Sequence, residues 1–529
     1  MSDRKAVLGH VVSVSGAAMI GHLAGAESGA GDRHARVGAV LKVDLVDSTV
    51  YGIVTGTRLS DGALARLVEL DLLGEATGDP RKPGLRPFQR GVSAYPALGD
   101  ALALAAPMEL AQVYARPAAS NLRIGTVFQD ENLPAYVLTD ELLGKHFAVL
   151  GTTGSGKSCA VALILRRLLD EHPNGHIVLI DPHNEYAAAF EGQVAVLNPE
   201  TIHLPYWLLN FEELTAVLVG RDDEDGLVQA LILKRNVLTA KLRFNGAENT
   251  PGNAGITVDT PVPYRLGDLI YLIDEEAGRY NNPEAARPYL RIKARMENLR
   301  DDRRFAFMFS GLLVRDSLAD IVGGIMRIPV DGKPIAAVDL SGVPSDVVDV
   351  VVSVMCRLIF DFAVWSVRDR ALPLLLICEE AHRYVPHDPA LGFGPTRRAI
   401  AQIAREGRKY GVSLCLVSQR PSDLSETILA QCNTFVALRM NNQRDQDFVR
   451  RAMPESGFGL LAALPSLRTR EAVIVGEGVT VPMRVRLQPL SDAHQPRSGG
   501  ALFSRDWQDD SEGPDFITGT LDRWRKQRR

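Results

Sequence analysis

The chain has 529 residues, too many for one ordinary hydrophobic core, so its length predicts two to four domains. Hydrophobic residues make up 46% and charged residues 23%, the balance of a soluble globular protein. A formal net charge of −5 excludes a globally basic face, so any nucleic acid would have to be met by local positive elements such as a narrow pore.

The five cysteines, Cys159, Cys356, Cys378, Cys415 and Cys432, form no C-x-x-C pair, which predicts reduced thiols and a cytoplasmic setting. The opening MSDRKAVLGH lacks the apolar core of a signal peptide. The most apolar helical stretch, 347–365, carries Asp349, Arg357 and Asp361, so no membrane span is expected.

In chain order, residues 1–120 read as short β-rich segments (HVVSVSG, RVGAVLKVDLV, STVYGIVTGT, ARLVELDLLG) separated by turn residues, which favours a small β-barrel. From about 147 the pattern becomes α/β. FAVL, HIVLI, IAAVDLSG, LLLIC, VSLCLVSQ and TFVAL are the continuous apolar runs of a parallel sheet covered on both faces. SCAVALILRRLLD (158–170) and the stretch after Ser345, taken as an N-cap, supply helices between them. Over 211–320 the strand signal fades; FEELTAVLVG, LVQALILKRNVLTAKLRF and PYLRIKARMENLRDD predict a helical insertion, with a loop at 245–255. The core is thus expected as two parts, 121–210 and 321–490, followed by a polar tail, 491–529.

GTTGSGKS, residues 151–158, fits G-x-x-x-x-G-K-[ST] between a strand and a helix. Gly151, Gly154 and Gly156 let the backbone turn its N–H groups inward around phosphates, and Thr152, Thr153, Ser155 and Cys159 complete the loop and first helical turn. Lys157 can reach the β- and γ-phosphates of ATP, and the Ser158 hydroxyl can join the Mg²⁺ shell. LLLICEEAHRYVP (374–386) ends an apolar strand in two adjacent carboxylates, whose proximity a cation would offset. Glu379 is then the acid on the metal side and Glu380 the group that polarises the attacking water. IVLIDPHNEY (177–186) ends another strand in Asp181, His183 and Glu185, either positioning groups at the nucleotide or a polar strand end. Arg405, Arg408 and Lys409 precede the next strand, and Gln419 stands at its tip, placed to sense the γ-phosphate. No base-reading motif is present.

HFAVLGTTGSGKS, IDPHNEY, LLLICEEAHRYVP, REGRKYG and SQRPSDL, in this order, resemble the HerA family of hexameric DNA translocases, relatives of FtsK among the additional-strand RecA-like ATPases. The resemblance implies a RecA-like P-loop ATPase core with an N-terminal β-barrel like that shared with ATP synthase subunits. It implies Glu380 as catalytic glutamate, Arg405 as an arginine finger offered to the neighbouring subunit, Gln419 as sensor, and Lys145 as a basic residue near the nucleotide. Where the family pattern has Asp-Glu, this chain has Glu379-Glu380, one methylene longer on the metal side. It further implies a homo-hexameric ring around double-stranded DNA, working with a partner nuclease or a sirtuin-like, NAD-consuming effector in end processing or anti-phage defence. A ring that only scaffolds its effector is the alternative, and a conjugation-type pump a third reading.

Overall fold

The β-rich N-terminal segments close on themselves. In the computed structural model, which describes residues 7–23, 35–60, 66–79, 86–198, 201–219, 225–247, 255–310, 314–368, 370–453, 458–497, 504, 507–508 and 513–526, this region holds seven strands: β1 (Val7–Ser15), β2 (Ala18–Leu23), β3 (Val40–Asp44), β4 (Ser48–Leu59), β5 (Arg66–Thr77), β6 (Phe88–Arg90) and β7 (Ala101–Leu104). Their order is β2-β1-β7-β3-β4-β5, and β5 pairs back onto β2, so the sheet becomes a barrel with β6 appended to β5. Closure removes the exposed edges that short strands would otherwise present. Val11, Met19, Leu41, Val54, Val68 and Leu102 fill the interior from alternate positions.

The second sheet contains β8 (Asn121–Val127), β9 (Asp130–Leu138), β10 (Phe147–Leu150), β11 (His176–Asp181), β12 (Val194–Leu197), β13 (Ile335–Asp339), β14 (Leu374–Cys378), β15 (Val412–Ser418), β16 (Thr434–Ala437), β17 (Glu471–Gly476) and β18 (Met483–Leu487). Its order is β12-β13-β11-β14-β15-β10-β16-β17-β18-β8-β9. From β12 to β16 every pairing is parallel; from β16 onward every pairing is antiparallel. The apolar runs read as parallel strands are β10, β11 and β13 to β16, and every residue of β14 and β15 is buried, as strands covered on both faces require.

Within residues 211–320 lie the helices Phe211–Leu218, Gly226–Phe244, Leu266–Ala277 and Pro283–Asp301. The helix Leu266–Ala277 was not anticipated, and the next one starts before the expected Pro288, at Pro283, because the Asn282 side chain accepts the Glu284 N–H at 3.0 Å. Most of the expected loop 245–255 lies outside the described residues. Ser345 is not the cap of the helix Ser345–Ser366 but its first residue; Pro344 occupies the cap position. Polar groups in that helix contact Glu213 of the helix Phe211–Leu218. Arg357 pairs with the buried Glu213 at 3.0 Å and with Asp361 at 3.1 Å, and Ser353 Oγ donates to Glu213 at 2.9 Å. Among the described residues no helix is long and apolar enough to cross a membrane, and the cysteines are all free thiols. Residues 497–529 form a separate unit whose helix spans Pro514–Lys526.

Candidate nucleotide-hydrolysis site

In an open parallel sheet, ligands bind beyond the carboxyl ends of the strands. There the chain gathers the loop after β10, the acid loop after β11, the carboxylate pair after β14 and the glutamine after β15. Since β11, β14, β15 and β10 are consecutive neighbours in the sheet, segments far apart in sequence meet at one edge.

The loop 151–156 is shaped by its neighbours. A Cβ on Gly151 would lie 2.7 Å from Ser155 Oγ and 2.9 Å from Leu438 Cβ, so only glycine fits. Gly156 has φ +98° and ends the loop in a left-handed conformation as the helix Lys157–Glu171 begins. Thr152 anchors the loop to the strand beside it: its N–H and Oγ1 both donate to the Arg439 carbonyl at 3.0 Å. Thr153 Oγ1 donates to Gln419 Oε1, so the tip of β15 touches the loop directly. Lys157 is buried, its Nζ 3.3 Å from the Thr152 carbonyl; burial lowers its pKa, while Glu379, Glu380 and Glu185 pull it back up. Ser155 Oγ is buried and makes no hydrogen bond among the described residues. An orphaned donor buried in this loop suits phosphate oxygens. Cys159 sits in the first helical turn and faces a cavity of about 240 Å³ that Gly156, Leu163, Arg470, Leu487 and Pro489 also line.

The polar residues at the end of β11, Asp181, His183 and Glu185, separate into different roles. Asp181 is buried and accepts the N–H groups of His183 at 3.3 Å and Tyr186 at 3.0 Å, folding the loop. His183 is exposed. Glu185 is thereby presented to the phosphate loop, where its Oε2 accepts the Ser158 hydroxyl at 2.6 Å. Tyr186 points the other way and donates from its hydroxyl to Glu379 Oε2 at 2.9 Å. Nothing in the sequence joins Tyr186 to Glu379; only the adjacency of β11 and β14 does.

Glu379 is 3% exposed, and burial pushes its carboxyl up to about 8; the Tyr186 hydrogen bond opposes the rise, the Glu380 charge adds to it and Lys157 opposes it. Glu380 follows with φ 52°, a left-handed backbone. Its Oε2 is buried without a hydrogen bond, 3.3 Å from His382 Nδ1. Among the described residues no three His, Cys, Asp or Glu form a metal cage. Mg²⁺ takes one or two protein groups and fills its shell with water and phosphate oxygens. Ser158, with Glu185 behind it and Glu379 across the site, is the group fitted to hold it.

Two expected residues lie elsewhere. Lys145 precedes β10, so the strand's four residues, roughly 13 Å at about 3.3 Å each, separate it from the phosphate loop. It is paired with Glu141 at 2.6 Å and with Glu477. The structure places the lysine at the opposite end of the strand from the chain's own phosphate loop, with its ammonium held by acids. Arg405 is exposed on the helix Gly394–Glu406, which leads into the start of β15, the end opposite Gln419. It does not join the site of its own chain.

The family described as "Helicase HerA, central domain" matches residues 122–359. The chain is 27% identical over 503 residues to the DNA double-strand break repair helicase HerA of Pyrococcus furiosus, covering 87% of this chain and 82% of that one. It is 28% identical over 396 residues to the protein of the same name from Sulfolobus acidocaldarius, covering 74% and 73%. Among solved structures, VirB4 of Thermoanaerobacter pseudethanolicus shares the fold, with a TM-score of 0.50 at 18% identity over 72% of this chain and 99% of that one. Residues 122–359 thus match the HerA central domain, and most of the chain's length is similar to HerA helicases.

Proposed function

We propose that this protein hydrolyses ATP and uses the turnover to move along double-stranded DNA as a ring. The observation that carries the reading is the meeting, at one sheet edge, of a phosphate loop with a buried lysine, a hydroxyl held by Glu185, and two carboxylates of unlike environment. Lys157 binds the β- and γ-phosphates. Ser158, oriented by Glu185, and Glu379, oriented by Tyr186, hold Mg²⁺, which when bound neutralises charge on the transferring phosphoryl group. Glu380 takes the proton of the attacking water. Gln419, already touching Thr153, reports the γ-phosphate to β15.

Arg405 supports a ring. It is exposed, among the described residues it has no ion pair, and it lies before the start of β15, the end opposite Gln419, which suits a finger serving the next subunit. The relatives' names as DNA double-strand break repair helicases support DNA as the track. With no base-reading motif and a net charge of −5, DNA would be held through its backbone inside the ring, not on an outer basic face. A partner nuclease, or a sirtuin-like effector in anti-phage defence, completes the proposal. A ring that only scaffolds an effector needs neither a water-activating glutamate nor a finger. The test is Glu380→Gln: nucleotide binding should persist while steady-state hydrolysis falls by about 10²-fold or more. Unchanged hydrolysis would remove Glu380 from the mechanism.

A further inference from the structure

The carboxylate assigned to water activation has one buried oxygen without a hydrogen bond, Glu380 Oε2, and the group beside it is His382. His382 lies in the short turn that follows the strained backbone of Glu380, and its ring is largely covered. Its Nδ1 has two polar neighbours: Glu380 Oε2 at 3.3 Å, out of line for a hydrogen bond, and Ser418 Oγ at 3.2 Å. Ser418 is the last residue of β15, fully buried, and its Oγ also accepts the Arg420 N–H at 3.1 Å. The next residue is Gln419, which accepts from Thr153 of the phosphate loop. A short polar path therefore runs from the phosphate loop through the tip of β15 to the catalytic carboxylate, and one imidazole nitrogen is its last link.

We propose that His382 is a positioning residue for hydrolysis: its Nδ1 orients Glu380 and is shared between that carboxylate and Ser418, so the strand that carries Gln419 controls how firmly the base is held. The inference rests on the assignment of Glu380 as the water-activating group. One nitrogen cannot serve both partners fully. While Ser418 holds it, Glu380 Oε2 stays unsatisfied and its carboxylate is poorly directed. A small rotation of the ring transfers the contact to Glu380, which then has the fixed orientation a general base needs. Burial also lowers the pKa of His382, with Glu380 and Asp423 opposing and Arg420 and Arg383 reinforcing the shift. In the tautomer with the proton on Nδ1, a neutral ring donates that one N–H to either acceptor, Ser418 Oγ or Glu380 Oε2, as the sharing requires.

Because both substitutions change the same atom's partners, they should act in opposite directions. In the full-length protein without DNA, His382→Ala is expected to lower kcat for ATP by about tenfold, with the Kd for a non-hydrolysable ATP analogue unchanged. His382→Asn, whose amide can stand near the lost Nδ1, should recover most of that loss. Ser418→Ala, which leaves the nitrogen to Glu380 alone, should raise basal kcat by about two- to fivefold. In a Glu380→Gln background, single-turnover hydrolysis should be the same with or without His382→Ala, since a positioning group has nothing left to position. If His382→Ala stays within twofold of wild type while Glu380→Gln is inactive, His382 does not position the base. A further tenfold loss in the Glu380→Gln background, or a Ser418→Ala variant as slow as His382→Ala, would also overturn the proposal. Normal hydrolysis by Glu380→Gln alone would instead sink the assignment beneath it.

Discussion

Replacing Glu379 with glutamine probes what it costs to keep a carboxylate in the dry end of β14. The group is 3% exposed, and burial lifts its pKa from 4.5 to about 8 in spite of the Tyr186 hydrogen bond. At about 1.4 kcal/mol per unit, ionising it in the folded, metal-free protein costs up to roughly 5 kcal/mol, an upper value because the site relaxes. The folded state holds this proton more tightly than the unfolded one. Its stabilising effect is therefore complete below pH 4.5 and is lost as pH rises towards about 8. Glutamine keeps the shape and an acceptor for Tyr186 but cannot ionise. Without metal or nucleotide, wild type and Glu379→Gln should be similarly stable near pH 5. The variant should then pull ahead with rising pH, by as much as roughly 5 kcal/mol at pH 8.5. Guanidinium midpoints over a pH series measure this, and curves that stay parallel from pH 5 to 8.5 would refute the reasoning.

Arg405→Ala should bind ATP almost normally yet lose about 10³-fold in turnover. Mixed and subunit-exchanged with Glu380→Gln, it should regain part of that activity, and activity that never rises at any ratio would place Arg405 in cis or in a structural role. Glu185→Gln should weaken the hold on Ser158, since a charge-assisted hydrogen bond becomes a neutral one, and raise the Mg²⁺ needed for analogue binding by about tenfold. A titration that overlays wild type would count against that role. Arg357→Ala leaves Glu213 buried without its guanidinium and should cost about 3–5 kcal/mol in denaturant unfolding. The paired change Arg357→Met with Glu213→Leu should return most of it, and a single variant as stable as wild type would mean the pair is dispensable.

The phosphate loop is legible in the sequence because its chemistry is local: a contiguous run of residues supplies the turn, the amides, the lysine and the hydroxyl, and each needs only its neighbours. The strands that flank it are legible for a related reason, since full burial on both faces demands unbroken apolar runs such as LLLIC and VSLCLVS. The barrel could be read from turn spacing, but its closure through β2 and β5 could not. The antiparallel arm of β17, β18, β8 and β9 is not legible in the sequence, because it joins segments far apart in the chain and pairing between them leaves no local pattern.

The partners within the site are a tertiary matter throughout. Glu185 and not Asp181 holds Ser158, because Asp181 is spent on the backbone of its own loop. Tyr186 meets Glu379 across 193 residues, and His382 meets Ser418 across 36, since parallel neighbours bring their carboxyl ends to one edge whatever lies between them in the chain. The same geometry sends Lys145 to the far end of β10. Residue type and spacing determine which groups can do the chemistry; the order of strands in the sheet decides which of them meet.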